Sequence, residues 1–196
     1  MDKKVLSIPL NEKDIRCLKI GDVIYLTGHI YTARDIAHLK IQELFRTGKE
    51  LPKSFEGSAI FHAGPVCLKN ADGSWCLNVI GPTTSIRMEP YAKLIGQLGV
   101  KAIIGKGGMA QDTLDSCKDY GYVYLQAAPG CAAKLAEGIS RVNDVTWFES
   151  GMPEALWDLE AFEFGPLVVS MDTHGNSIYQ DLKKSALKIL DSIYEI

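Results

Sequence analysis

Asp22-Val-Ile-Tyr-Leu-Thr-Gly28, continued by His29-Ile-Tyr-Thr-Ala-Arg-Asp-Ile-Ala-His38, is the stretch on which the fold turns. Residues 22–28 read as a strand that ends on a glycine. Thr32 is then placed to cap a helix, with Asp35 three residues on in a near capping-box arrangement. Ala33, Ile36, Ala37, Ile41, Leu44 and Phe45 recur at helical spacing, and Gly48 offers a stop. A strand that feeds directly into an amphipathic helix is the unit of an α/β protein.

The same grammar recurs along the chain. Strand-like runs lie at 58–62, 76–80, 100–104, 122–126 and 166–171. Pro90 suits the first turn of a helix that runs to Leu98 and stops at Gly99. Further helices are expected at 111–120, closed by Gly121, at 131–139, rich in small residues, and at 185–194. Some strands are too close in sequence for a crossover helix, while others have room for one. That spacing implies a mixed sheet rather than a strictly alternating, doubly wound one.

Bulk properties narrow the function. The chain has 196 residues, which suits one domain over 1–196, and a 46% hydrophobic share that suits an ordinary globular core. A net charge of −3 with no basic stripe argues against nucleic acid. The N-terminal residues lack the apolar core of a signal peptide, and no run approaches the ~20 apolar residues of a membrane span, so a cytoplasmic protein is expected. Cys17, Cys67, Cys76, Cys117 and Cys131 have no Cys-x-x-Cys spacing. They read as reduced, mostly buried thiols, and the four histidines form no ligand pair, so no metal is expected on this chain alone.

The chemistry gathers in three loops, each following a strand. In the first, Arg34 and His38 stand one turn apart near a helix start, where free amides and a guanidinium could hold a carboxylate. Taken by itself, the segment is better explained by a solvated face on which they pair with Asp35 or Gln42. The second, Ile80-Gly-Pro-Thr-Thr-Ser-Ile-Arg-Met-Glu-Pro-Tyr91, offers Thr83, Thr84 and Arg87 to an anion, or else spends its hydroxyls on capping. The third, Ile104-Gly-Lys-Gly-Gly-Met109, fails as a P-loop because no Ser or Thr follows the lysine. It remains a glycine loop carrying Lys106 as a point charge. Two more glycine turns, His62-Ala-Gly-Pro65 and Asp172-Thr-His-Gly-Asn-Ser177, read simply as turns, with His174 exposed. Three cations at strand ends fit a small di-acid, and the residues alone name no reaction.

At these segments the sequence resembles the C-terminal region of class I fumarases and the β subunit of L(+)-tartrate dehydratases. The resemblance rests on Tyr31-Thr-Ala-Arg-Asp-Ile-Ala-His38, His62-Ala-Gly-Pro65, Gly81-Pro-Thr-Thr-Ser-Ile-Arg-Met88, Ile104-Gly-Lys-Gly-Gly-Met109 and Gly175-Asn-Ser-Ile-Tyr179, with Glu89 where aspartate is common. It implies an α/β swivelling β/β/α domain with a mixed sheet, like the mobile domain of aconitase-type hydro-lyases. It further implies fumarate hydration to L-malate, or dehydration of L-tartrate, and a [4Fe–4S] cluster carried by a separate α subunit in an α2β2-type assembly. Carried over residue by residue, Arg34, Thr84, Arg87 and Lys106 would bind the substrate carboxylates and Thr83 would take part in proton transfer. A non-catalytic carboxylate-binding module is the rival from another class, and retention of all three cationic loops weighs against it.

Overall fold

In the computed structural model, which describes residues 3–194, the chain runs β1 (Lys4–Ser7), α1 (Glu12–Arg16), β2 (Val23–Thr32), α2 (Asp35–Arg46), β3 (Ala59–Phe61), β4 (Val66–Lys69) and β5 (Trp75–Val79). A 3-10 segment (Ser85–Tyr91) leads into α3 (Ala92–Gln97), β6 (Ala102–Gly105), α4 (Gln111–Tyr120), β7 (Val123–Ala127), α5 (Ala132–Ala136), β8 (Ile139–Thr146), β9 (Leu156–Met171) and α6 (Ile178–Tyr194). The outermost residues of the expected 1–196 domain lie outside the described range.

A seven-stranded sheet has the order β1-β2-β3-β6-β7-β9-β8, and β9 also pairs with β2, which curls the sheet into a partial barrel. β1, β2, β3, β6 and β7 are parallel to their neighbours, whereas β9 runs antiparallel to β2, β7 and β8. The fold is therefore mixed α/β, as the spacing implied. Parallel neighbours need crossovers: α2 carries the chain from β2 to β3, and α4 from β6 to β7. β4 and β5 form a separate hairpin.

Strand periodicity sorts the core into two layers. Phe61, Ile104 and Leu125 point into the barrel beside Leu26, Phe164 and Val169. Their neighbours Ile60, Ile103 and Tyr124 point the other way, beneath Ala37, Ile41, Leu94 and Leu114 of the helices. Burial of each large apolar side chain contributes about 1.5–3 kcal/mol, so both faces of the parallel strands are committed. Their C-terminal ends are left for function.

Several expectations need correction. Gly28 does not end a strand; it sits at φ +117 in a register shift of β2 against β9, where an added Cβ would lie 2.8 Å from the Ile8 carbonyl oxygen. β2 therefore continues to Thr32, which caps nothing. The Thr32 hydroxyl is buried, donates to the Ala155 carbonyl at 3.3 Å and accepts from the Trp157 amide at 3.2 Å. The helix starts three residues later, with Arg34 as its N-cap. Pro90 falls in the 3-10 segment ahead of α3 rather than in that helix's first turn. The expected helix at 131–139 is helical only over Ala132–Ala136, and Ile139 opens β8. Of the five thiols only Cys67 and Cys117 are buried; Cys17, Cys76 and Cys131 are exposed.

Candidate carboxylate-binding site

The first and third loops follow β2 and β6, which end at the same edge of the sheet with β3 between them, while the second loop follows β5 of the separate hairpin. Backbone hydrogen bonds then stitch them together. The Thr83 amide donates to the His62 carbonyl at 2.7 Å, the Ser85 amide to the Lys106 carbonyl at 3.1 Å, and the Lys106 amide to the Thr83 carbonyl at 3.3 Å. Arg34, Thr83, Thr84, Arg87 and Lys106 are thereby gathered at one end of the barrel.

Both arginines are held by carboxylates of this chain. Arg87 spans Asp35 with Nε to Oδ1 at 3.0 Å and Nη2 to Oδ2 at 3.0 Å, and Nη2 also donates to Thr83 Oγ1 at 3.2 Å. The guanidinium holds the Asp35 carboxyl below its ordinary range, and Asp35 in turn raises Arg87. Arg34 Nη2 meets Glu154 Oε1 at 3.0 Å, while Glu154 Oε2 accepts the Ile36 amide at 3.0 Å. One amide of the first turn of α2, which could have received a ligand, is thus met by Glu154. Glu89 does the same for α4, accepting the Ala110 amide and the Thr113 amide and hydroxyl at 2.7–2.8 Å. Lys106 differs: among the described residues its ammonium has neither an ion pair nor a hydrogen bond, and it is half-buried.

The hydroxyls are not spent on capping. Thr84 is the N-cap of the 3-10 segment but makes no side-chain cap, and it is exposed. Thr83 accepts from Arg87. Ser85 is buried and pairs with His62 Nδ1 at 3.0 Å. Beneath them lies a layer the sequence reading missed. His38, expected on a solvated face, is wholly buried, donates from Nδ1 to the Arg34 carbonyl at 2.8 Å, and stacks on Tyr91. His62, read as part of a turn, lies edge-on to it with ring centroids 5.3 Å apart. Burial lowers His38 to about 4; it lowers His62 as well, helped by His38 and Arg87 nearby. Glu154 gave no signal beyond a lone acid after Gly151-Met-Pro.

Thr84 and Arg87 are exposed, whereas Arg34, Thr83 and Lys106 are half-buried. A cleft of about 530 Å³ along the outer face of α2 and one of about 380 Å³ beside Glu89 and α4 contain none of Arg34, Thr83, Thr84, Arg87 or Lys106. Among the described residues no three His, Cys, Asp or Glu side chains group to hold a metal ion, and the five cysteines are scattered over separate elements, so this chain's residues do not fit an iron–sulfur cluster. No helix of the described residues is long and apolar enough to cross a membrane. His174 is exposed, as expected.

Known proteins are similar to the chain along nearly all of its length. A Methanocaldococcus jannaschii protein provisionally named L(+)-tartrate dehydratase subunit beta is 49% identical over 94% of this chain and 95% of its own length. The Escherichia coli L(+)-tartrate dehydratase subunit beta is 43% identical over 98% of this chain and 94% of its own. A Geobacillus stearothermophilus protein provisionally named fumarate hydratase class I is 43% identical over 97% of this chain, which matches 36% of that longer protein. Residues 2–182 match the family described as Fumarase C-terminus, and the chain belongs to that family.

Proposed function

We propose that the chain is the β subunit of an iron–sulfur hydro-lyase that, paired with a cluster-bearing α subunit, reversibly hydrates fumarate to L-malate. One observation carries the reading: the side chains of Arg34, Arg87 and Lys106 meet the hydroxyls of Thr84 and of Thr83, which Arg87 already holds, at the C-terminal edge of the parallel strands. Asp35 and Glu154 hold the two guanidiniums in fixed orientations and leave their Nη1 donors for substrate carboxylates. Lys106 adds a charge and Thr84 a hydroxyl. Thr83 lies at the reacting carbon; its hydroxyl alone is a poor base, and the Arg87 donor at 3.2 Å stabilises the deprotonated form. The cluster, on the partner, supplies a Lewis acid for the substrate hydroxyl. The domain swivels like the mobile domain of aconitase-type enzymes, and the assembly is an α2β2-type complex in the cytoplasm.

A second substrate has a specific observation in its favour. The relatives matched along nearly their whole length carry the name L(+)-tartrate dehydratase. Anaerobic reconstitution with an α-type chain, assayed on fumarate, L-malate and L-tartrate, separates the readings. Turnover of fumarate and malate supports the first and turnover of tartrate alone the second. A fully loaded complex inert on all three refutes both.

A further inference from the structure

Half of the loop Ile104-Gly-Lys-Gly-Gly-Met109 is glycine, the residue that gives up most conformational freedom on folding. Lys106 stands between two of these glycines, and Gly107 takes the left-handed region at φ +72. Such a loop leaves its lysine free to wander unless other elements hold it. The second loop holds the Lys106 backbone, through the Ser85 amide and the Thr83 carbonyl. Two tyrosines hold the glycines that follow. Tyr124 Oη donates to the Gly107 carbonyl at 2.8 Å. The Tyr179 ring lies so close to Gly108 that an added Cβ there would stand 3.0 Å from its Cγ, with Cδ1 and Cδ2 at 3.2 and 3.3 Å.

Tyr179 is placed from outside the loop. The Asp172 carboxylate is buried and accepts the amides of His174 at 2.9 Å, Asn176 at 3.0 Å and Ile20 at 3.3 Å, along with the Asn176 side chain at 2.9 Å. The turn so fixed brings Ser177 back beside Met171, and α6 starts at the next residue. Tyr179, in the first turn of that helix, donates its hydroxyl to Gln126 Oε1. Gln126 is the register partner of Gly105, where β6 gives way to the loop. One rigid side chain therefore ties Gly108 to the strand that flanks Gly105. Gln180 Nε2 adds a bond to Gln111 Oε1 at 3.0 Å, on the far side of the loop. Residues 181–190 that follow are all exposed, so the root of α6, not its length, meets the loop.

We propose that Tyr179 is a positioning residue for Lys106: its ring and its hydroxyl fix the glycine loop so that the ammonium is aimed at a substrate carboxylate. This rests on the reading of Lys106 as a carboxylate ligand. The test is a double-mutant cycle in the reconstituted two-subunit enzyme, assayed on fumarate or L-tartrate, whichever it turns over. Lys106→Met is expected to lower kcat/KM about 10- to 150-fold by removing one charge-assisted contact. Tyr179→Ala should lower it about tenfold, chiefly through KM, because a loosened ammonium weakens a contact made in ground and transition states alike. Tyr179→Phe keeps the ring on Gly108 and loses only a neutral hydrogen bond, so it should cost less than about threefold. In the Lys106→Met background Tyr179→Ala should cost less than about twofold, since no ammonium is left to aim. An equal loss in both backgrounds would make Tyr179 a packing residue and overturn the proposal. Unchanged kcat/KM in Tyr179→Ala alone overturns it too, and in either case a loss in Lys106→Met leaves the reading of Lys106 standing. Unchanged kcat/KM in Lys106→Met removes that reading and the positioning role with it. Should Tyr179→Ala fail to fold, Tyr179→Leu takes its place in the cycle and the same outcomes decide.

Discussion

Replacing Arg87 by lysine separates a substrate clamp from a surface ion pair. The guanidinium makes two parallel contacts to Asp35, each at 3.0 Å, and a third to Thr83 Oγ1 at 3.2 Å. An ammonium is a single point and cannot span Asp35 while reaching Thr83. The Asp35 pair is 41% and 39% exposed at its two side chains, so its loss costs stability only about 0.2–1 kcal/mol. For a chain of this size that moves the melting temperature by no more than about 4 °C. The kinetic loss should be larger. Each charge-assisted contact to substrate or to the reacting hydroxyl is worth about 1.5–3 kcal/mol, or roughly 10- to 150-fold in kcat/KM. Arg87→Lys in the reconstituted complex is therefore expected to lower kcat/KM at least about tenfold with a nearly unchanged melting point. Asp35→Asn, which keeps an acceptor for the fork but loses its charge, should show a smaller kinetic loss. Unchanged kinetics in both Arg87→Lys and Arg87→Ala would remove Arg87 from the site and weaken the assignments of Thr83 and Thr84.

Thr83→Val, nearly isosteric but without the hydroxyl, is expected to lower kcat about 10²–10⁴-fold while Thr83→Ser retains most activity; equal rates in the two variants would refute a proton-transfer role. Gly105→Ala drives a methyl into Ser85 Oγ and should destabilise the fold by about 1–3 kcal/mol, read as a lower denaturation midpoint. Acid should weaken the fold through His38, whose burial lowers it from 6.5 to about 4. Between those values the unfolded chain binds a proton that the folded chain refuses, so stability falls with falling pH, by up to about 3 kcal/mol from this group. Urea midpoints that stay flat over that window would show His38 to be more accessible than its packing implies.

The parts of the fold that could be read from sequence are those where a local signal agrees with the tertiary outcome. α4 begins and ends where Gln111–Tyr120 and Gly121 indicate, because an amphipathic run and a left-handed glycine cap specify the same boundaries. β3 and β6 were visible as short apolar runs because both their faces are buried. β8 was not, since Ile139–Thr146 is a largely polar edge strand paired on one side to β9. The Thr32 hydroxyl misled because a threonine before an amphipathic run looks the same whether it caps a helix or, as here, bridges two strands. At the site, the cations and hydroxyls announced themselves by type and spacing. Their holders Glu154 and Asp35 and the buried imidazoles of His38 and His62 did not. Their roles depend on contacts from elsewhere in the chain, which no local window contains.

That division bears on what the isolated chain can bind. At the helix N-termini, which would otherwise attract an anion, Glu89 already holds two amides of α4 and Glu154 one amide of α2. Asp35 and Glu154 offset the charges of Arg87 and Arg34, so Lys106 is left as the uncompensated cation of the site. One net positive charge in contact with water holds a dicarboxylate little better than a single carboxylate until a partner surface closes over the site and the remaining guanidinium donors engage the second carboxylate. The isolated chain is therefore expected to bind succinate about as weakly as acetate, both no tighter than about millimolar. The reconstituted complex should prefer succinate by tenfold or more, because closure excludes water and strengthens each remaining ionic contact. Calorimetric titration of both ligands into the chain and the complex reads this directly. Micromolar succinate binding by the isolated chain would mean that Asp35 and Glu154 release their arginines to substrate. The paired guanidiniums would then be a resting state rather than the geometry that receives the carboxylates.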